Sequence, residues 1–248
     1  MISIRRFQLC VNEFVPKLKT IKSKVGNLRS IPTSDLLHPR KLKVLKIAGA
    51  NTLMPASRLS RIWNFAHNVG KVELEGAFVE CGTYKGGSAA MLISNAERRD
   101  VWLFDSWDGC PEPTEHDIDR NGNPGQRGEF SSSYEAFEEL LSRLPRYQCE
   151  VRIRKGWFQD TVPSNKDEIG KIALLHLDGD WYESTKVCLE SLYDAIVPGG
   201  MLIIDDYGYW NGCKKAVDEF FENRPIQLVQ QDDTQAVVFV PSEAINLT

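Results

Sequence analysis

The chain has no apolar run long enough to cross a bilayer. Stretches such as 172–175 and 237–240 end after a few residues, whereas a spanning helix needs about 20. No leader is expected either: Arg5 and Arg6 are followed by separated apolar residues (Phe7, Leu9, Val11) and then by Glu13, not by a continuous apolar region. Six cysteines are spread at Cys10, Cys81, Cys110, Cys149, Cys188 and Cys213, and no two form a C-x-x-C pair. That spacing argues against zinc ribbons and thioredoxin-like chemistry. Cys81 and Cys188 fall inside expected regular elements, where a free cysteine behaves as a small hydrophobe. These absences lead to the expectation of a reducing, cytoplasmic setting.

What is present suits a globular chain: 248 residues, 42% hydrophobic and 26% charged, enough for one domain with a well-buried core. The net charge of -4 conceals an asymmetry. Residues 1–50 hold eleven Lys/Arg against Glu13 and Asp35, and the remainder holds nineteen against thirty-two acids. A basic arm on an acidic body is able to touch nucleic acid or an anionic membrane. The reading preferred here is a solvated arm over 1–49 that packs on its own body or on a second copy of the chain, with neither nucleic acid nor membrane as partner.

Amphipathic helix is expected over 7–21, after which Gly26, Pro32 and Pro39 interrupt it. A helix over 57–69 places Leu59, Ile62, Trp63 and Ala66 on one face. Strands then alternate with helices. Strands are expected over 77–81, 101–105, 151–155, 172–178 and 201–205, and helices over 88–98, 134–143, 182–195 and 214–222. Two further strands, 226–229 and 235–240, close the sequence. Strands separated by helix-length segments imply parallel βαβ units with helices on both faces. The link between the last two strands is too short for a crossover, so they are expected to be antiparallel. The fold expected is a doubly wound, seven-stranded α/β domain over 50–248, five strands parallel and the last two forming a hairpin. Ligands of such sheets bind at the carboxyl ends of the strands.

One cluster of informative residues lies at the first three strand ends. Glu80-Cys81-Gly82-Thr83-Tyr84-Lys85-Gly86-Gly87-Ser88 falls where a strand turns into a helix. Its glycines have the spacing G-x-x-x-G-G, not the G-x-G-x-x-G of dinucleotide-binding folds. Glycine lets backbone approach a ligand closely, and a helix N-terminus suits the carboxylate of a bound amino acid. Glu80 would pair with an α-ammonium group. Asp105, ending the second strand, is placed to accept hydrogen bonds from ribose hydroxyls, with Ser106, Trp107 and Asp108 beside it. Gly156, Trp157 and Phe158 follow the third strand and offer aromatic surface for an adenine, although core packing explains the tryptophan equally well.

The second cluster is sharper. Asp178-Gly179-Asp180 ends the fourth strand and Asp205-Asp206 the fifth. Neighbouring parallel strands lie about 4.8 Å apart, so their ends bring these acids together. Carboxylates packed so closely repel unless a cation neutralises them. All-oxygen ligands point to Mg2+, Mn2+ or Ca2+ and away from zinc. Helix capping accounts for one acid at each strand end but not for the doubled pattern.

In order along the chain, Phe78-Val79-Glu80-Cys81-Gly82 with Lys85-Gly86-Gly87, Phe104-Asp105-Ser106-Trp107-Asp108-Gly109, Lys155-Gly156-Trp157-Phe158-Gln159-Asp160-Thr161, the run from Leu177 to Thr185 (LDGDWYEST), and Pro198-Gly199-Gly200 with Asp205-Asp206-Tyr207-Gly208 resemble the macrocin O-methyltransferase (TylF-type) family of class I methyltransferases. The likeness covers roughly residues 50–240. It implies Mg2+-dependent transfer of a methyl group from S-adenosylmethionine to a hydroxyl of a small polar acceptor, often the sugar of a natural product. It also implies metal ligation by Asp178, Asp205 and Asp206, and donor contacts from Glu80, Gly82 and Asp105. Thr83, Tyr84, Gly87, Ser88, Ser106, Gly156, Trp157, Phe158 and Asp178 complete the expected donor site. A cation gripping the acceptor oxygen lowers its pKa and fixes its direction, and an acid left free of the metal is able to take the proton. Asp180 is the candidate base, ahead of His176 and His116.

Two other classes compete with this reading. An NAD-dependent oxidoreductase is disfavoured by the glycine spacing and the closing hairpin. A non-catalytic binding domain on the same fold would keep the sheet without needing the acids. The polar segment 108–133 is longer than a plain connection and reads either as a lid over the strand ends or as an unstructured loop.

Overall fold

A computed structural model describes residue 35 and residues 38–72 and 74–241. The expected helix over 7–21, most of the basic arm and its assembly role lie outside the described residues. The elements run α1 (Pro39–Ala48), α2 (Ala56–Lys71), β1 (Ala77–Cys81), α3 (Gly87–Ile93), β2 (Val101–Asp105), α4 (Tyr134–Arg143), β3 (Val151–Lys155), α5 (Phe158–Ile169), β4 (Ile172–Leu177), α6 (Tyr182–Leu192), β5 (Ile196–Ile204), α7 (Asn211–Phe221), β6 (Leu228–Gln230) and β7 (Ala236–Phe239). One seven-stranded sheet has the order β3-β2-β1-β4-β5-β7-β6. β1 to β5 pair in parallel, and β7 pairs antiparallel with both β5 and β6. The expected doubly wound class I methyltransferase architecture is therefore present.

Strand alternation builds two cores from one sheet. Phe78, Leu103 and Leu174 face α1 to α4. Their chain neighbours Val79, Trp102, Phe104 and Leu175 face α5 to α7. Both faces are apolar because both are covered, as parallel sheets require.

Three expectations are corrected. Pro39 starts α1 instead of breaking a helix, because the first helical position needs no N–H. Val44, Leu45 and Ala48 of that helix are fully buried. Helix α5 was not foreseen; it carries Pro163 and buries only Val162 and Ile169, so it shows little apolar periodicity. β5 begins before the Pro198-Gly199-Gly200 turn, which is absorbed as a register shift against β4.

Candidate active site

The parallel pairing runs one residue past the strands, and this aligns the site. Gly156 N donates to Asp105 O, Gly82 N to Phe104 O, Asp178 N to Cys81 O and Asp205 N to Leu177 O, all at 2.8–2.9 Å. Gly156, Asp105, Gly82, Asp178 and Asp205 thus stand in a row along the carboxyl edge. The strand order reverses between β1 and β4, the switch point at which open α/β sheets bind ligands. A cleft of about 460 Å³ opens there, and its wall includes Gly82, Asp105, Trp157, Asp178, Asp180, Asp205 and Asp206.

On the β1–β2–β3 side, Asp105 organises the glycine loop. Its Oδ2 accepts from Thr83 N (2.8 Å) and Tyr84 N (2.6 Å), and its Oδ1 from Trp107 N (2.6 Å). Burial raises the Asp105 carboxyl pKa despite these amide bonds. Gly82 has φ +100, and a Cβ there would lie 1.8 Å from the carbonyl oxygen of Asp178; no other residue fits. Thr83, Tyr84, Gly87, Ser88, Ser106, Gly156 and Phe158 also line the cleft. Trp107 instead turns into the core and donates from Nε1 to Tyr84 O.

Glu80, expected to contact the donor, stands within β1. It is fully buried, its register partner on β4 is His176, and Oε1 lies 2.9 Å from His176 Nδ1. Neighbours in register share a sheet face, so one oxygen of Glu80 meets one nitrogen of His176, while Glu80 Oε2 and His176 Nε2 are buried without a hydrogen-bond partner; Glu80 does not line the cleft. His176 is fully buried beside it and does not line the cleft either. His116 packs its ring edge-on against Tyr182, with centroids 5.2 Å apart, and is absent from the cleft wall as well.

On the β4–β5 side the acids converge. One carboxylate oxygen from each of Asp178, Asp205 and Asp206 lies within 4.8 Å of the others. Asp206 Oδ2 is buried without a hydrogen-bond partner. Burial, then Asp205 and Asp206, pushes Asp178 well above the usual carboxylate range; burial and then Asp205 push Asp206 up to about 7. Buried, mutually repelling oxygens with an unsatisfied lone pair fit a hard cation. Asp180 is set apart from this triad. Its backbone is left-handed at φ 57, Trp210 Nε1 donates to its Oδ1 (3.1 Å) and the Cys110 thiol lies 3.8 Å from its Oδ2. A non-glycine residue held at positive φ is a strained position of the kind found at functional sites.

Residues the sequence did not single out complete the wall. The 108–133 segment is ordered, not unstructured. Asp117 Oδ1 accepts from Tyr182 N at the start of α6 (2.7 Å), and Asn211 N at the start of α7 donates to Ile118 O (2.9 Å). So anchored, it brings Cys110, Pro111, Arg120 and Phe130 to the cleft. Arg58, from α2, reaches Asp205, and Gln235 holds the other oxygen of the same carboxylate.

A class I methyltransferase sheet with glycine loop and acid cluster at its switch point defines an enzyme that transfers methyl groups. Over residues 40–240 the chain matches the Macrocin-O-methyltransferase (TylF) family model, and it belongs to that family of O-methyltransferases. It is 34% identical to 8-demethyl-8-(2,3-dimethoxy-alpha-L-rhamnosyl)-tetracenomycin-C 4'-O-methyltransferase of Streptomyces olivaceus, across 69% of this chain and 67% of that one. Its identity to demethyldecarbamoylnovobiocin O-methyltransferase of Streptomyces niveus is 33%, across 70% and 68%. Among solved structures, the O-methyltransferase NovP superposes with a TM-score of 0.65 at 29% identity, over 77% of this chain and 82% of that one. Among the described residues no helix is long and apolar enough to cross a membrane.

Proposed function

We propose that the chain methylates a hydroxyl of a sugar-bearing or similarly polyoxygenated small molecule. S-Adenosylmethionine is the donor in this reading, and a divalent cation, Mg2+ first, is held by Asp178, Asp205 and Asp206. The observation that carries it is the convergence of those three carboxylates in the cleft that the Gly82 loop also lines. The Streptomyces relatives are named for a dimethoxy-rhamnosyl tetracenomycin C and for demethyldecarbamoylnovobiocin, and those names support the acceptor class.

When bound, the cation would acidify the acceptor hydroxyl and the donor would supply the methyl group. The chain's own residues do the rest. Asp105 takes the Thr83 and Tyr84 amides and so orders the Gly82–Ser88 loop, which brings the start of α3 to the donor's amino-acid end. Trp157 and Phe158 flank its aromatic end. Asp180, held at Oδ1 by Trp210, takes the acceptor proton on Oδ2. Pro111 and Phe130 exclude water from the side of the acceptor.

Incubation with S-adenosylmethionine and a panel of deoxysugar glycosides, with MgCl2 or EDTA, tests the reading by mass spectrometry. A product one methylene heavier should form with Mg2+ and disappear with EDTA. Equal product in EDTA would remove the cation, and donor binding without methylation of any hydroxylated acceptor would remove the acceptor class.

A further inference from the structure

Asp205 already has a partner on each oxygen. Gln235 Nε2 donates to Oδ1 at 2.9 Å, and Arg58 Nη1 donates to Oδ2 at 2.7 Å. The Asp205 carboxylate is 4% exposed and the Arg58 side chain 14%. The guanidinium is itself fixed: Nη2 donates to Thr234 Oγ1 and lies 3.5 Å from Asp232 Oδ1. Asp232 is tied in turn by Arg61 Nη1 at 2.7 Å and by the amides of Thr234 and Gln235. Burial pushes the Asp232 carboxyl up, but the Gln235 amide and Arg61 more than offset it and hold it well below the usual range. The frame therefore joins α2, the end of β5 and the turn between β6 and β7.

We infer that Arg58 is the positioning residue of the cation site, an inference that rests on the metal reading proposed above. Each Asp205 oxygen accepts one hydrogen bond and keeps a second lone pair, so the carboxylate remains able to ligate while its plane is locked. Two effects of the guanidinium oppose each other. Its charge repels an arriving cation, and its fork holds Asp205 beside Asp178 and Asp206 against like-charge repulsion. The guanidinium uses Nη1 for Asp205 and Nη2 for Thr234 and Asp232, so its charge is shared with a second carboxylate while its fork fixes Asp205. Orientation is then the larger contribution, and partners that orient a metal ligand commonly govern affinity.

The sign of one measurement decides this. Calorimetric titration of the full chain with Mn2+ should give binding that Arg58→Met weakens by about 10–100-fold, with Arg58→Lys, which keeps charge but loses the fork, in between. Asp232→Asn, which loosens only the anchor of Arg58, should cost less. S-Adenosylhomocysteine affinity, measured in EDTA, should be unchanged in all three, which separates positioning from a general loss of fold. Equal or tighter Mn2+ binding in Arg58→Met would overturn the inference, because charge would then outweigh orientation. A loss confined to S-adenosylhomocysteine would overturn it too, by moving Arg58 to the donor. Absence of Mn2+ binding in the unaltered chain would sink the metal reading itself, and the inference with it.

Discussion

At the scale of single residues, the site is constrained most tightly where backbone meets backbone. Gly82 crosses Asp178 so closely that a Cβ would sit 1.8 Å from its carbonyl oxygen, and it does so at positive φ. Gly122 has φ +89 with nothing within 4 Å of the same added atom. Gly82→Ala should therefore cost about 2–4 kcal/mol of stability, strain and displacement together. Gly122→Ala should cost only the left-handed conformation, about 1 kcal/mol. Urea denaturation of both variants checks the contrast; equal losses would show that φ alone matters. Asp180 invites a different substitution. Asp180→Asn keeps the shape and the bond from Trp210 but cannot take a proton, so turnover should fall by about 10²-fold or more. Mn2+ and S-adenosylhomocysteine binding should hold. Retained turnover would transfer the base role elsewhere.

At the scale of elements, α1 is joined to α2 by a buried polar knot. Lys41 Nζ donates to Asp35 Oδ1 (2.7 Å), Ser60 Oγ (2.9 Å) and Asn64 Oδ1 (2.8 Å), and Lys41 is 2% exposed. Burial lowers the Lys41 pKa in spite of Asp35. Asp35→Ala would strand a buried ammonium and should cost about 3–5 kcal/mol, most of it recovered in the double variant with Lys41→Met. Additive losses would mean that the pair is not the unit. Elements such as this one also show what a sequence hides. β1 and β2 are legible to the residue because their apolar runs end at a turn or an acid, β3 because Val and Ile alternate with basic residues, and α4 because Ser133 caps a helix with Phe137 and Leu140 on one face. α1 is not, since its lysines read as part of a solvated arm until Lys41 is seen to be paired. The acids of the site are legible because each ends a strand. Arg58 is not, for its partners lie 147 and 176 positions away. The full burial of Glu80 is not legible either, because it depends on the β1–β4 register, which sets His176 against it.

At the scale of the whole molecule, the carboxyl edge concentrates negative charge in the interior, and that charge opposes folding unless something neutralises it. Carboxyls raised by burial and by each other hold protons in the folded state that they lose when unfolded. Burial and Asp205 raise Asp206 to about 7 against an ordinary 3.8. Between those two values the folded chain binds more protons than the unfolded one, so without a cation stability falls as pH rises through that window. A cation that binds only the folded chain competes with those protons. It should therefore stabilise little at pH 5 and much at pH 8. At about 100 times its dissociation constant a ligand adds about 2.7 kcal/mol, which for a domain of this size raises the melting temperature by about 5–10 °C. Melting curves with EDTA and with saturating MgCl2 at the two pH values measure the difference directly. A shift that is equal at both would place the ion away from these carboxylates. A shift that is large at pH 8 and small at pH 5 would tie the stability of the sheet to the same charges that are to hold the metal.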